Sequence, residues 1–338
     1  MKKIEFLKIW LMLLILLTGC SGEYKGIKSG NYSLSYDYGN VQQCDLTIEK
    51  ISGELEFSGE VICLGMGNAY RLKKHLFEDY QKSYDELVCV DEQLNKNMMK
   101  YPLNDQIMML GGTTDRGSFL ALKMDYSLEN GEYFYQYYVE RCSNDGKILK
   151  TITLDFMNPK DIDLSIAIIA NDDIVFFAWE KCYYEISNKG EFQVFDMPSD
   201  YKFYRFILLP DGKVAMDLCC IVQKNEDIIS IKHIIMELGN DENNKNTIME
   251  YDELDDRMDW LCAANIYYDG RVILADMEGI YLADKERINL CKIFDWKENG
   301  FPISYIYNLA SDNSGTIFIL IESDKIPKLL VLKAYERH

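Results

Sequence analysis

The amino-acid sequence predicts an all-β fold in which short strands repeat along most of the chain. From about residue 31 onward, β-branched and aromatic runs alternate with polar residues, as in residues 132–139 and 174–177. Such runs between turn residues are typical of β strands. Sustained helical periodicity is scarce. The best helical candidate, residues 71–86, is polar and poorly capped and predicts at most one or two helical turns.

A turn motif recurs along this strand-rich region. An aspartate, followed closely by glycine in most copies, lies between an apolar run and an alternating strand at Asp115, Asp172, Asp211, Asp269 and Asp312. The intervals between these aspartates are 57, 39, 58 and 43 residues. Their average is close to the roughly 40–50 residues of one four-stranded propeller blade. The sequence therefore predicts a β-propeller of six, or alternatively seven, four-stranded blades.

The two ends of the strand-rich region predict how the propeller closes. Residues 329–335 form the pattern of a third strand, and the sequence stops at His338 before a fourth. A blade that lacks one strand would expose an unpaired edge, which is a liability for a soluble protein. Residues 32–38 form a strand pattern with no partner of their own, and we expect this N-terminal strand to complete the last blade. The alternative is that the chain is a piece of a longer protein.

The hairpins around Asp211, Asp269 and Asp312 resemble the inner hairpins of quinoprotein-like, NHL-like and two-component-sensor-type propellers. The resemblance covers residues 107–338 and, less clearly, 41–106. It implies an architecture but not an activity, because propellers carry many unrelated functions. Residues 311–316 come near the Asp-box of sialidases, but the spacing differs by one residue, so that activity is not carried over.

The first twenty residues have the pattern of a secretory signal. Lys2 and Lys3 precede the apolar run 9–17, which is far shorter than the roughly 20 residues that span a bilayer. Leu-Thr-Gly-Cys at 17–20 resembles the lipobox of bacterial lipoproteins. That resemblance implies a signal peptide at residues 1–19 and acyl chains, palmitate among them, on Cys20. An ordinary secretory signal that happens to end in cysteine is the alternative.

This N-terminus predicts the domain organisation and the location of the protein. Residues 20–30 would be the lipidated cysteine and a flexible tether, and residues 31–338 the propeller domain. Removal of residues 1–19 leaves 319 residues and changes the formal net charge from −19 to −21. We expect the body to lie at the extracytoplasmic face of the cell membrane, held by lipid. So acidic a body argues against nucleic acid as a partner.

Nine cysteines remain after Cys20, and an odd number leaves at least one free thiol. No Cys-x-x-Cys pair occurs, which argues against a redox or zinc motif. Most of these cysteines lie in apolar strand patterns, so we expect buried thiols. Cys44 and Cys63 are the first pair to test as a disulfide.

The sequence predicts no catalytic residue, no metal site and no cofactor. The three histidines, His75, His233 and His338, lie far apart, and no nucleophile elbow, phosphate-binding loop or dinucleotide fingerprint is present. The acidic run 252–256 fits either a solvated loop or, as the alternative, a calcium site. The aromatic groups 133–138 and 201–206 fit packing between blades or, as the alternative, a glycan-binding face.

These observations lead to one functional expectation and two alternatives. We expect a membrane-anchored lipoprotein that acts as a non-enzymatic binding or scaffold module, with a glycan or a peptide or protein as its ligand. The first alternative is an accessory or truncated component of an ABC-transporter solute-binding lipoprotein, because some such lipoproteins carry a similar propeller. The second alternative is a glycan-active enzyme on a propeller fold.

Overall fold

A computed structural model describes residues 46–336 except 57–60, 76–81, 103–105, 130–131, 156–166, 180, 225–226, 240–246, 253–262 and 284–289. These residues form 24 β strands and no α-helix. None of the described residues belongs to a helix that could cross a membrane. The predicted signal peptide, tether and lipidated Cys20 lie outside the described residues. The all-β prediction is confirmed.

The strands form six antiparallel units of four, numbered here along the chain. Unit 1 contains β2 (Val61–Gly65), β3 (Asn68–His75), β4 (Tyr84–Asp91) and β5 (Lys96–Pro102). Unit 2 contains β6 (Gln106–Thr113), β7 (Ser118–Glu129), β8 (Glu132–Ser143) and β9 (Ile148–Thr153). Unit 3 contains β10 (Ala167–Ala170), β11 (Ile174–Trp179), β12 (Cys182–Ser187) and β13 (Phe192–Asp196). Units 2 and 3 share one sheet, because β6 and β10 pair in parallel.

The remaining units repeat this order of strands. Unit 4 contains β14 (Lys202–Leu208), β15 (Val214–Lys224), β16 (Asp227–Glu237) and β17 (Thr247–Asp252). Unit 5 contains β18 (Ala263–Ile266), β19 (Val272–Ala275), β20 (Gly279–Ala283) and β21 (Leu290–Asp295). Unit 6 contains β22 (Ile303–Ser311), β23 (Thr316–Ser323), β24 (Ile326–Glu336) and β1 (Leu46–Glu56). The result is a propeller-like all-β fold.

An N-terminal strand joins the last sheet, but it is not the predicted segment. Residues 32–38 lie outside the described residues. The strand that pairs with β24 is β1, in antiparallel register from Leu46 opposite Glu336 to Glu56 opposite Lys328. The C-terminal strand pattern at residues 329–335 is confirmed as part of β24, which pairs with both β23 and β1.

In the described part of residues 71–86 the predicted helical turns are wrong where the chain forms strands, because residues 71–75 belong to β3 and residues 84–86 to β4, whereas residues 76–81 lie outside the described residues. Leu72 and Leu87 lie opposite each other in the register of the two strands, and both are fully buried. Arg71 donates to the Glu86 carboxylate across the same pair of strands at 2.9 Å. The polar residues that weakened the helical pattern therefore pair between strands.

Most of the first strands contact the first strand of a neighbouring unit. These inner strands contact one another in the pairs β2 with β6, β6 with β10, β10 with β14, β18 with β22, and β22 with β2. The buried amide of Asn265 on β18 donates to the carbonyls of Leu208 on β14 and Leu309 on β22, at 3.3 and 3.1 Å. The ends of these three inner strands therefore lie at one level.

The predicted Asp-Gly hairpins are confirmed between the first and second strands. Gly212 and Gly270 have φ angles of 83° and 89°, in the left-handed region that glycine adopts readily. Asp211 and Asp269 each accept a hydrogen bond from a backbone N–H two residues later, at 3.2 and 2.9 Å. The aspartate side chain is short enough for its carboxylate to accept a backbone hydrogen bond within the turn, which explains why aspartate recurs at this position.

Candidate functional site

Three of the inner strands contain β-bulges, and three do not. The pairing of β6, β14 and β22 with their second strands is interrupted at Met108, at Tyr204, and at Ser304 and Tyr307. The shorter inner strands β2, β10 and β18 pair without interruption. Bulges change the direction of a side chain and are common next to active sites. The bulged inner strands β6, β14 and β22 are therefore candidates for carrying a functional site.

Strand β22 contains two bulges within four residues and presents an unusual set of side chains. Tyr305 is 45% exposed and Tyr307 is 39% exposed, whereas Ile306 between them is buried in the apolar core. The two tyrosine rings lie edge to face, with centroids 5.0 Å apart. Ser304 is exposed on the same strand. An inner strand of the fold thus exposes two aromatic rings and a hydroxyl group.

The carboxylate of Glu322 on β23 lies within reach of this set. Tyr305 is directly opposite Glu322 in the strand register. Tyr307 donates its hydroxyl proton to Glu322 Oε2 at 2.9 Å, and Ser304 donates to Oε1 at 2.7 Å. No lysine, arginine or histidine among the described residues forms an ion pair with Glu322. This group of Ser304, Tyr305, Tyr307 and Glu322 is called the β22 site below.

Burial and the neighbouring carboxylate both affect the hydroxyl group of Tyr307. Partial burial, and then the hydrogen bond to Glu322, raise the pKa of Tyr307 to about 12. Near neutral pH the side chain is therefore a protonated phenol that donates to a carboxylate. A hydroxyl group that donates to a carboxylate, which is itself held by Ser304, has the geometry in which a carboxylate can activate a nucleophile.

A second tyrosine–carboxylate pair lies in unit 4 and is fully buried. Tyr251 on β17 donates to Asp217 Oδ2 at 2.8 Å, and His233 Nδ1 lies 2.8 Å from Asp217 Oδ1. Arg205 Nε donates to Asp217 Oδ2 at 3.2 Å. The four residues come from the four strands of the unit. Tyr204, next to Arg205, packs edge to face on the His233 ring at 4.9 Å.

This buried group holds the bulged part of β14 in place. Burial, and then the charge of Asp217, raise the pKa of Tyr251 well above its ordinary value. Asp217 has no exposed side-chain surface, and its charge is compensated by Arg205. A fully buried carboxylate needs such partners, because desolvation otherwise costs several kcal/mol. The group therefore supports the structure, and substrates do not reach its carboxylate.

The disulfide between Cys44 and Cys63 stays a prediction, because Cys44 lies outside the described residues. In the part of the chain that the structure describes, Cys63 has a free thiol. The expectation of buried thiols is confirmed for Cys89 and Cys142, where burial raises the thiol pKa to about 12. Cys291 is in a disulfide.

The two predicted aromatic groups divide between packing and exposure. Tyr137, Tyr201 and Phe206 are buried, as the packing alternative predicts. Phe134 is 50% exposed and Tyr204 is 36% exposed. The aromatic residues of the β22 site belong to neither group.

The pattern of apolar and polar residues in 303–307 does not indicate the β22 site. In a regular strand Ser304 and Tyr305 would face opposite sides of the sheet. The bulges expose them together, and bulges depend on the register with β23.

The acidic run 252–256 shows no metal site in the part that the structure describes. The Asp252 carboxylate accepts hydrogen bonds from the Ser230 hydroxyl and, at 3.1 Å, from the Ile231 backbone N–H. Residues 253–256 lie outside the described residues. Within the described ranges, no group of three His, Cys, Asp or Glu side chains is placed to hold a metal ion.

Comparison with solved structures gives distant similarities. Acylaminoacyl peptidase from Pyrococcus horikoshii is 12% identical with a TM-score of 0.43, over 82% of this chain and 51% of the peptidase. This chain thus spans about half of that peptidase. Aldose sugar dehydrogenase from Escherichia coli is 9% identical with a TM-score of 0.40, over 84% of this chain and 99% of the dehydrogenase. A gluconolactonase from Xanthomonas campestris is 9% identical with a TM-score of 0.42, over 79% of this chain and 86% of the gluconolactonase.

No protein-family model and no curated protein matches the chain. The similar solved structures above are enzymes, which contradicts the expectation of a non-enzymatic binding or scaffold module. Their similarity concerns the arrangement of strands, so any activity of this chain has to be argued from its own side chains. The β22 site provides the side chains for that argument.

Proposed function

We propose that this protein is a glycan-active enzyme, a glycoside hydrolase in which Tyr307 is the nucleophile and Glu322 is its general base. The observation that carries the proposal is the contact of 2.9 Å between the exposed Tyr307 hydroxyl on the inner strand β22 and the half-buried Glu322 carboxylate on β23. Tyrosine acts as the nucleophile in one class of glycosidases. The exposed ring of Tyr305 supplies an apolar surface on which a sugar ring can stack.

The reaction proceeds in two displacements at the anomeric carbon. The Tyr307 oxygen attacks this carbon and passes its proton to Glu322, while the bond to the glycosidic oxygen breaks. A water molecule gives a proton to the leaving oxygen, and the resulting hydroxide displaces Tyr307. Glu322 then returns its proton to the tyrosine oxygen. The net reaction is hydrolysis with retention of the anomeric configuration, because two inversions cancel.

The high pKa of Tyr307 is consistent with these roles. A phenol whose pKa is raised to about 12 is a weak nucleophile near neutral pH and needs an adjacent base. Glu322 has no competing cation among the described residues and is held by Ser304. It is therefore free to accept the proton at the moment of attack.

The experiment is a screen of aryl glycosides with purified protein, followed by trapping of the intermediate. A 2-fluoro-glycoside of the active sugar should leave a glycosyl group on Tyr307, seen by peptide mass spectrometry. Glu322→Gln should lower the hydrolysis rate about 10²–10⁴-fold, as expected for loss of a general base. Tyr307→Phe should abolish the labelled peptide.

Two exposed residues elsewhere provide matched controls. Glu298→Gln and Tyr135→Phe change exposed side chains outside the β22 site and should leave the rate unchanged. Full activity of Tyr307→Phe, or a product of inverted configuration, would show that Tyr307 is not the nucleophile.

We also propose that the six units are the blades of a closed β-propeller, with β1 completing the last blade. The contacts between neighbouring inner strands and the Asn265 bridge support this order. Cysteine pairs placed on β1 and β24 would test it. A crosslink between them should raise the midpoint of thermal unfolding, and an unchanged midpoint would contradict a role of β1 in closure.

The N-terminal predictions remain proposals about the location of the enzyme. Leu17–Cys20 matches a lipobox, and a lipid on Cys20 would hold the acidic body at the extracytoplasmic face of the membrane. Cys20→Ala should move the protein from the membrane fraction to the soluble fraction. A Cys20→Ala protein that stays in the membrane would rule out the lipid as its anchor.

A further inference from the structure

The β22 site lies on the side of unit 6 that packs against unit 1. Phe318, Leu320 and Glu322 alternate along β23, which pairs with β24 without interruption, so the three side chains share one face of the strand. Phe318 and Leu320 belong to an apolar cluster that also contains Ala69 and Val88 of unit 1. Glu322 and the hydroxyl groups that donate to it therefore face unit 1.

The facing surface of unit 1 carries a histidine and a glutamate. His75 follows Ala69 by six residues on β3, and Glu86 precedes Val88 by two residues on β4. The two strands pair without interruption, so these side chains share the face of the apolar cluster. His75 is the eighth residue of the second strand of its unit, and Glu322 is the seventh residue of the corresponding strand. Facing sheets pack about 10 Å apart, so side chains at this depth reach one ligand from both sides.

The two ring nitrogens of His75 have different surroundings. Nε2 is buried, forms no hydrogen bond with a described residue and lies 3.6 Å from Glu86 Oε2. The ring stacks on Tyr84 with centroids 4.6 Å apart, and Glu86 Oε1 accepts a hydrogen bond from Arg71 at 2.9 Å. The His75 side chain is 25% exposed, so its exposed surface lies on the rest of the ring. The carboxylate beside Nε2 therefore orients the histidine and leaves Nδ1 for a substrate.

We propose that His75 is the acid–base catalyst on the leaving-group side of the β22 site, an inference that rests on the hydrolase activity proposed above. Glycosidases hold their two reacting groups on either side of the scissile bond. Glu322 cannot supply both groups, because it takes the proton of Tyr307. Histidine gains and loses a proton between about pH 5 and 8, as this role requires. Glu86 is its positioning residue.

The proton transfers balance with His75 in this role. As the Tyr307 oxygen bonds to the anomeric carbon, the His75 imidazolium gives its Nδ1 proton to the glycosidic oxygen, whose bond to that carbon breaks. The neutral Nδ1 then takes a proton from a water molecule, and the resulting hydroxide displaces Tyr307. Tyr307 recovers its proton from Glu322, and His75 ends as the imidazolium. His75 thus replaces bulk water as the acid.

The dependence of the rate on the leaving group tests this role. His75→Gln should lower kcat/KM about 10²–10⁴-fold for the methyl glycoside of the active sugar, because a poor leaving group needs a proton from an acid. For the dinitrophenyl glycoside, whose phenolate leaves without a proton, kcat/KM should stay within about twofold. This second value also shows that the variant folds and binds the sugar.

Two further variants of unit 1 separate the acid from its surroundings. Glu86→Gln should lower kcat/KM for the methyl glycoside by less than His75→Gln does. Lys73→Gln removes an exposed charge two residues from His75 and should leave the ratio of the two kcat/KM values unchanged. Equal changes for both glycosides in His75→Gln, or no change, would overturn the role of His75 while labelling of Tyr307 persists. A wild-type protein that hydrolyses no glycoside would overturn the proposed function and this inference with it.

Discussion

Units 4 and 6 both contain a tyrosine that donates to a carboxylate, in opposite surroundings. Tyr251 and Asp217 are buried, and Arg205 compensates the charge. Tyr307 and Glu322 make the same contact on side chains that remain accessible, and no cation among the described residues pairs with Glu322. The comparison shows that the contact alone does not define a site. Access and an uncompensated charge distinguish the pair that we propose to be reactive from the structural one.

The largest expected effect comes from neutralising each carboxylate in turn. Asp217→Asn leaves Arg205 buried without its partner and should lower the free energy of unfolding by about 3–5 kcal/mol. Glu322→Gln removes an accessible charge without an ion pair and should change it by less than about 0.5 kcal/mol. Urea denaturation of both variants measures the difference. A similar loss of unfolding free energy in both variants would contradict the distinction between the two carboxylates.

Asp276 extends the comparison to a carboxylate that is buried and forms no ion pair with a described residue. It is 1% exposed, its Oδ1 accepts the backbone N–H groups of Glu278 and Gly279 at 2.8 Å, and its Oδ2 has no partner. Burial is the main cause that raises its pKa from 3.8 to about 6. The folded state therefore holds this proton more tightly than the unfolded state does.

The sign of the pH dependence follows from this raised pKa. The contribution of Asp276 to stability is complete below pH 4 and is lost as the pH rises from about 4 to 6. Asp276→Asn keeps the Oδ1 acceptor and removes the buried charge, so at pH 8 it should stabilise the protein by up to about 3 kcal/mol. Thermal unfolding of both proteins at pH 4 and pH 8 measures this. A gain of equal size at pH 4 would contradict the explanation.

Removal of the two tyrosine hydroxyl groups tests the comparison from the donor side. Tyr251→Phe leaves a buried carboxylate short of one donor and should cost about 1–2 kcal/mol. Tyr307→Phe leaves Glu322 accessible to water and should cost little. Urea denaturation distinguishes the two variants. A larger loss in Tyr307→Phe would mean that the β22 site has a structural role.

The smallest effect is expected where a buried carboxylate faces a half-exposed cation. Arg116, in the turn after β6, donates to Asp312 Oδ2 at 2.8 Å and so connects units 2 and 6. Its side chain is 43% exposed, and Asp312 Oδ1 also accepts the backbone N–H groups of Ser314 and Thr316. Arg116→Ala should therefore cost about 1 kcal/mol or less, measured by thermal unfolding.

Much of the fold could be predicted because its signals are local. Asp211-Gly212 and Asp269-Gly270 define hairpins by the φ angle of glycine and the carboxylate that closes the turn, and both are properties of neighbouring residues. Residues 71–75 and 84–86 lack such a local signal, because Arg71 and Glu86 pair across two strands. A contact over fifteen residues leaves no helical or local signature.

The β22 site could not be predicted, for a related reason. Tyr307 and Glu322 meet because two bulges shift the register between β22 and β23. The residues that set this register lie on both strands and in the core beneath them. No spacing within residues 303–307 indicates this register. The aromatic groups that the sequence pattern indicates are 133–138 and 201–206, which lie outside the β22 site.

Asn265 has a consequence for the order in which the chain acquires its structure. Its side-chain amide spans 57 residues back to Leu208 and 44 residues forward to Leu309. Both hydrogen bonds can form only when the strands on either side of β18 are in place. Contacts of such sequence separation are associated with slow folding. The inner strand of the fifth unit therefore reaches its final position together with those of both neighbours, and loss of the Asn265 amide would loosen the contacts on both sides.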